Sequence, residues 1–205
     1  MTQAHWDTIY ARTDPTQTGW YEESPEASLQ LLERCALQPD DLVVDAGAGV
    51  STFIEALLDR GHQRVVGVDI SDAALDALRG RLGDRAASAT LRVADLRTDG
   101  LDDLRDVTLW HDRAVMHFFT NPTDRERYTA TVRRAVRPGG HAIIATFAPD
   151  AASQCSGLDV SRYDAAGLLA ALGEGWEHVE DFRYVYHRPD GDVRPFTYLL
   201  ARRTA

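Results

Sequence analysis

The chain has 205 residues, 44% of them apolar, and a formal net charge of −10. That length suits one domain able to bury a core without disulfides or a structural metal. The acidic balance disfavours a general nucleic-acid binder, because phosphate affinity comes from clustered cations, and no apolar run reaches membrane-spanning length. The two cysteines, Cys35 and Cys155, are far apart in sequence and make no disulfide framework. With no basic start followed by an apolar stretch, they fit a reducing cytoplasm.

Residues 1–23 are polar but carry Trp6, Tyr10, Trp20 and Tyr21. Ser24-Pro25 reads as a helix start, with Ser24 as N-cap, for a helix through Leu29, Leu31 and Leu32 that ends near Leu37. From Asp41 onward strand and helix patterns alternate. Leu42-Val43-Val44 is a short, wholly apolar run, as expected of a strand buried on both faces. A glycine loop comes next, then a helix from about Ser51 to Arg60. Arg64 to Val68 is a second strand, and Ser71 caps a helix with Leu75, Leu78 and Leu82 on one face. Strands over Thr90–Val93 and Val107–Trp110 come after it, then a helix from Asp124 to Val136. Pro138-Gly139-Gly140 reads as a turn before a fifth strand, His141–Thr146. A helix over Asp164–Leu172 precedes two strands, Val179–His187 and Val193–Ala201, joined by the turn sequence Arg188-Pro189-Asp190-Gly191-Asp192.

This alternation predicts a single domain over 1–205, with an aromatic N-terminal segment and first helix (1–37) attached to an α/β core (41–205). The core is a doubly wound, mostly parallel seven-stranded sheet with an antiparallel C-terminal hairpin and helices on both faces. Such sheets bind ligands at the carboxyl ends of their strands.

Asp45 closes the first strand and opens the loop Asp45-Ala46-Gly47-Ala48-Gly49. Gly47 and Gly49 allow a tight turn and a close approach to a ligand. A pyrophosphate fingerprint needs a third glycine, and Thr52 stands in its place. The leading acid repels phosphate and suits a cationic amino-acid group. Asp69 ends the second strand, where a carboxylate accepts from ribose hydroxyls. Asp95 ends the third, within reach of an adenine amino group. Each aspartate alone is an ordinary cap or loop residue; together with the glycines they read as a nucleoside site.

On these motifs, together with Gly67-Val68-Asp69-Ile70-Ser71, Val93-Ala94-Asp95-Leu96 and Arg137-Pro138-Gly139-Gly140, the chain resembles the class I S-adenosylmethionine-dependent methyltransferases from about Trp6 to Arg203. The resemblance implies S-adenosylmethionine as cofactor and a reversed last strand. It places Gly47 and Gly49 at the methionine portion, Asp69 at the ribose and Asp95 with Leu96 around the adenine, with Ile70 also among the cofactor-binding residues. Related enzymes close this site with an aromatic segment, for which Trp20 is the candidate.

The acceptor should face the fourth strand and the loop after it, Trp110 to Phe119. There His111 or Asp112 would serve as a base if the nucleophile carries a proton, or would shape the loop and contact the cofactor. His117 lies four residues beyond Arg113, so on a helix both would share a face toward the acceptor; a packed histidine is the alternative. Asp112-Arg113 and Asn121 to Tyr128 are locally similar to thiopurine-type S-methyltransferases. That similarity implies a small, soft acceptor such as a thiol, with Arg113 in its pocket. Arg162 and Tyr163, after the fifth strand, would bind an anionic or planar acceptor or pin their loop. No Cys/His or carboxylate cluster has metal-ligand spacing. A protein-lysine methyltransferase, a non-catalytic cofactor binder and a dehydrogenase are the competing readings.

Overall fold

Strand and helix alternate in the predicted order. The computed structural model describes residues 2–188 and 191–204. Its elements are α1 (Gln3–Arg12), α2 (Glu26–Leu32), β1 (Leu42–Ala46), α3 (Thr52–Asp59), β2 (Arg64–Asp69), α4 (Asp72–Leu82), β3 (Ala89–Val93), β4 (Val107–Arg113), α5 (Pro122–Ala135), β5 (Val136–Phe147), the short β6 (Gln154–Cys155) and β7 (Leu158–Asp159), α6 (Ala165–Leu172), β8 (Trp176–His187) and β9 (Val193–Arg203).

Seven strands form one sheet in the order β3-β2-β1-β4-β5-β9-β8. The first five are parallel, and β9 pairs antiparallel with both β5 and β8. The apolar run of β1 is buried throughout, as its central place demands. Alternate residues of the central strands face opposite layers. Val43 and Leu109 join Leu31, Phe53, Ile54 and Leu78, from α2, α3 and α4. Val44 and Trp110 join Tyr128, Val132 and Leu168, from α5 and α6. The strand order reverses at β1, whose neighbours are β2 and β4, so the crevice for a ligand opens at the carboxyl ends of β1 and β4.

Helix starts obey local chemistry. Ser51 accepts from the N–H groups of Phe53 and Ile54, Ser71 from Ala74, Asn121 from Thr123 and Asp164 from Gly167. Each such cap is worth about 1 kcal/mol. Ser24 is not a cap: Pro25 holds the N-cap place with ψ 53°, and α2 starts one residue later. It ends early, at Leu32, passing through a 3₁₀ turn to Ala36 in the left-handed region.

Three further differences bear on the site. Residues 3–12 form a helix, with only Trp6 fully buried, where no element was predicted. Strand β4 runs three residues beyond Trp110, so His111, Asp112 and Arg113 belong to a strand. Strand β5 begins directly after α5, and Pro138-Gly139-Gly140 forms an irregularity inside its pairing with β4. In the predicted C-terminal turn, Pro189 and Asp190 lie outside the described residues; Arg188 N–H donates to the Asp192 carbonyl at 2.8 Å. No described helix is long and apolar enough to cross a membrane.

Candidate cofactor and acceptor site

The loop after β1 is held by two backbone N–H groups, those of Gly47 and Ala48, which donate to the Val68 carbonyl at 2.7 and 2.9 Å. Gly47 (φ +72°) and Gly49 (φ +50°) occupy the left-handed region. A Cβ on Gly47 would stand 1.9 Å from Val115 Cγ2, and one on Gly49 2.5 Å from the Tyr10 hydroxyl. The loop therefore passes between the segment after β4 and helix α1 with no room for a side chain at either glycine. At the end of β2, Asp69 Oδ2 accepts from Gly49 N–H and Oδ1 from Ser71 N–H, both at 2.8 Å. These bonds fix the carboxylate while leaving each oxygen further lone-pair capacity. Burial pushes the Asp69 carboxyl up to about 6, against the lowering effect of those N–H groups.

The length of β4 decides where its polar residues go. Side chains alternate along a strand, so His111 and Arg113 share one face and Asp112 takes the other. His111 stands opposite Asp45 in the β1–β4 pairing. Its Nδ1 lies 2.6 Å from Asp45 Oδ1, its Nε2 lies 2.9 Å from Ser28 Oγ on α2, and Phe53 stacks on its ring at 4.0 Å. The other carboxylate oxygen, Asp45 Oδ2, is buried without a partner. Arg113 Nη1 donates to the Trp20 carbonyl at 2.9 Å, and its Nε lies 3.0 Å from Glu22 Oε2, off the line of a good hydrogen bond. Its guanidinium carbon stands 5.1 Å from the ring centres of both Tyr186 and Phe196.

The N-terminal segment roofs this arrangement. Trp20 meets Trp6 and Tyr10 edge to face, at 5.7 and 6.0 Å, and its Nε1 donates to the Tyr10 hydroxyl at 3.2 Å. Ser71 Oγ donates to Asp7 of α1 at 2.6 Å, and the Tyr186 hydroxyl donates to the Tyr21 carbonyl. A cavity lies beneath.

The nine positions expected at the cofactor all line this cavity, from Trp20 and Asp45 through Ile70 to Leu96 and His111, and Arg113 lines it too. Asp95 is partly committed elsewhere: Arg97 binds both its oxygens, at 2.9 Å (Nε to Oδ1) and 2.7 Å (Nη2 to Oδ2), and bridges to Asp124. Burial would raise its carboxyl, but Arg97 holds it below the usual range.

Four expected residues lie elsewhere. Asp112 faces α5, where it accepts from the N–H groups of Val115 (2.9 Å) and Met116 (3.0 Å) and from the Tyr128 hydroxyl. It is a scaffold for the turn after β4, with no oxygen turned to the cavity. The helical spacing of Arg113 and His117 does not arise, because Ala114 (φ +67°) breaks the chain direction and only a 3₁₀ turn over Met116–Phe118 comes after it. His117 is buried between the rings of Phe118 and Phe147, and burial with the nearby Arg113 charge pushes its pKa down to about 3. Arg162 and Tyr163 sit on the α5–α6 side of the sheet, lining a separate groove. Tyr163 N–H donates to the Phe147 carbonyl and Arg162 Nη1 to the Ala151 carbonyl, at 3.0 Å each, which pins the loop there. Glu22 and Ser28 line the cavity and were not singled out. Ser28 left one trace in the sequence: a hydroxyl on the helix face that also carries Ala27, Leu31 and Leu32.

The cavity fits S-adenosylmethionine on its own chemistry. The unpartnered Asp45 Oδ2 is matched by an α-ammonium group, the glycine loop leaves the space a Cβ would fill, and Asp69 offers acceptors to a ribose.

Residues 43–140 match the family of methyltransferase domains. The chain is 26% identical over 157 residues to EEF1A lysine methyltransferase 2 of Danio rerio, covering 70% of this chain and 67% of the relative. Among solved structures, it superposes with a TM-score of 0.80 on a protein from work on converting a disulfide bond into a thioacetal group during echinomycin biosynthesis. The identity is 20%, with 98% of this chain and 92% of that one covered. The 1,6-didemethyltoxoflavin-N1-methyltransferase of Burkholderia thailandensis, solved with 1,6-didemethyltoxoflavin and S-adenosylhomocysteine bound, superposes with a TM-score of 0.70 at 21% identity, covering 88% and 78%.

Proposed function

We propose that the chain is a class I S-adenosylmethionine-dependent methyltransferase, a reading supported by the methyltransferase-domain match over residues 43–140, and that it methylates a small-molecule acceptor held beside the cofactor in the roofed cavity. The bound cofactor supplies an electrophilic methyl group on a sulfonium centre. Asp69 holds the ribose, Asp95 and Leu96 border the adenine, and Asp45 with the glycine loop receives the methionine portion. Arg113, paired to Glu22 and enclosed by Tyr186 and Phe196, walls the acceptor end.

One observation carries the choice of acceptor. The Trp20–Glu22 segment is tied down at both the Trp20 and Tyr21 carbonyls, over a cavity lined by large aromatic rings. That shape suits a compact molecule enclosed with the cofactor, where positioning contributes much of the acceleration. The toxoflavin-type methyltransferase structure supports the reading by analogy of fold. A thiol or other soft nucleophile is the acceptor class that the local likeness to thiopurine-type enzymes favours.

The likeness to the Danio rerio enzyme supports a second reading, protein lysine. Methyl-labelled cofactor incubated with cell lysate separates the two. The small-molecule reading expects label in the low-molecular-weight filtrate, and label confined to protein lysine overturns it. The chain itself contains no lysine, so labelled lysine would come only from added protein.

A further inference from the structure

We propose that Asp45, His111 and Ser28 form a proton relay opening on the acceptor end of the cavity through the Ser28 hydroxyl, and that the acceptor is therefore a nucleophile bearing a proton: a thiol, hydroxyl or amine. This rests on the methyl-transfer reading above and assigns Ser28 a catalytic role.

The geometry carries the relay. Asp45 Oδ1, at 2.6 Å, holds the proton on His111 Nδ1. The Nε2 lone pair then faces Ser28 Oγ at 2.9 Å, so the hydroxyl donates to the imidazole. Phe53, stacked at 4.0 Å, fixes the ring plane. Asp45 comes from β1, His111 from β4 and Ser28 from α2, so three separate elements converge on one polar line inside an apolar layer. A purely structural histidine in this tautomer needs only a fixed donor at Nε2, such as a backbone N–H. A hydroxyl partner differs because it accepts one proton while passing on another. Both His111 and Ser28 border the cavity from its buried wall, Ser28 with no exposed surface and with Tyr198 beside its hydroxyl. The other buried polar groups of this region offer no such outlet: Asp112 has both oxygens engaged on the opposite face, and His117 does not line the cavity. The charged and titratable groups around the line are Asp45, Asp69, Glu22, Asp112, Arg113 and Tyr198.

The step balances. The nucleophile X forms the X–C bond as the C–S bond breaks, and its electron pair stays on sulfur as the neutral thioether of S-adenosylhomocysteine. The X–H proton passes to Ser28 Oγ while the Ser28 proton passes to His111 Nε2. Asp45 remains ionised and balances the imidazolium, which later releases its proton to solvent.

Label transfer into lysate fractions, measured from mildly acidic to alkaline pH for the wild type, Ser28→Ala and Ser28→Thr, tests the relay. Ser28→Ala should lower the rate about 100-fold near neutral pH and recover as pH rises and the acceptor ionises unaided. Ser28→Thr should restore most of the rate, with S-adenosylhomocysteine affinity essentially unchanged throughout. A pH-independent loss in Ser28→Ala, or a loss paralleled by weaker S-adenosylhomocysteine binding, overturns the relay. Label on protein overturns the small-molecule reading but leaves this pH test intact. Independently of any acceptor, ¹⁵N spectra of the S-adenosylhomocysteine complex should show His111 protonated on Nδ1 alone, with an Nε2 shift that moves in Ser28→Ala. The opposite tautomer overturns the proposal.

Discussion

Glu22 Oε2 lies 3.0 Å from Arg113 Nε, with the two side chains only 7% and 12% exposed, and so joins the N-terminal segment to the last residue of β4. Burial pushes the Glu22 carboxyl up despite the guanidinium beside it, because the segment has lost its water. Removing one partner of such a pair leaves a buried charge alone, at about 3–5 kcal/mol. Arg113→Met should therefore cost about that much in urea unfolding, and Glu22→Gln less. The double variant should cost less than the sum of the two. Strict additivity would show that the two charges are not coupled.

The glycine loop gives a prediction with a built-in rescue. Gly47→Ala places a methyl against Val115 and forces a left-handed alanine, costing about 1–2 kcal/mol for the backbone and about 1–3 kcal/mol for overpacking. Adding Val115→Ala should recover the packing part only. Likewise Tyr10→Phe should relieve Gly49→Ala, where the obstacle is the Tyr10 hydroxyl. Thermal unfolding of the single and double variants measures both; no recovery in either pair would mean that these contacts do not set the loop.

Asp69 sets a pH dependence with a definite sign. Its folded-state pKa, about 6, is raised above the ordinary carboxylate value, so the ligand-free protein binds more protons folded than unfolded between about pH 4 and 6. The contribution of this group to stability is present below that window and is lost as pH rises through it. A carboxylate that accepts from ribose hydroxyls must be ionised, so S-adenosylhomocysteine affinity should do the reverse and fall as pH drops below about 6. Calorimetric titration from about pH 5 to 8 checks this, and Asp69→Asn should flatten the dependence while weakening binding about 5- to 100-fold. A wild-type affinity that is level across this range would remove Asp69 from the ribose.

Asp112 should behave as scaffold. Asp112→Ala strips acceptors from two backbone N–H groups and the Tyr128 hydroxyl, each unsatisfied group costing about 1–3 kcal/mol. Stability should fall by several kcal/mol. Where the variant stays folded at low temperature, its affinity for S-adenosylhomocysteine should match the wild type. A large loss of affinity without a loss of stability would contradict the placement.

The parallel sheet was legible because its central strands begin as short apolar runs before helix caps, as at Leu42-Val43-Val44 before Ser51 and Arg64–Val68 before Ser71. The residues expected at the cofactor converge on one cavity because they stand at strand ends in sequence. The acceptor side was not legible, and the cause is β4. Reading its end at Trp110 leaves His111, Asp112 and Arg113 in a loop, where nothing separates their directions. Three more residues of strand impose alternation, turning Asp112 away while keeping its neighbours. His117 is misplaced for the same reason, through a helix that Ala114 prevents. Glu22 and Ser28 precede the glycine loop and obey no spacing rule relative to it, so only the folded chain brings them to the cavity.

The contact between the Tyr186 hydroxyl and the Tyr21 carbonyl spans 165 residues. One fastening of the roof thus comes from β8, far from it along the chain. Asp7 meets Ser71 and Trp20 meets Arg113, so residues 3–22 find partners at α4 and β4 before β8 supplies the last. A nascent chain carrying every cofactor-binding motif would still lack the closed chamber.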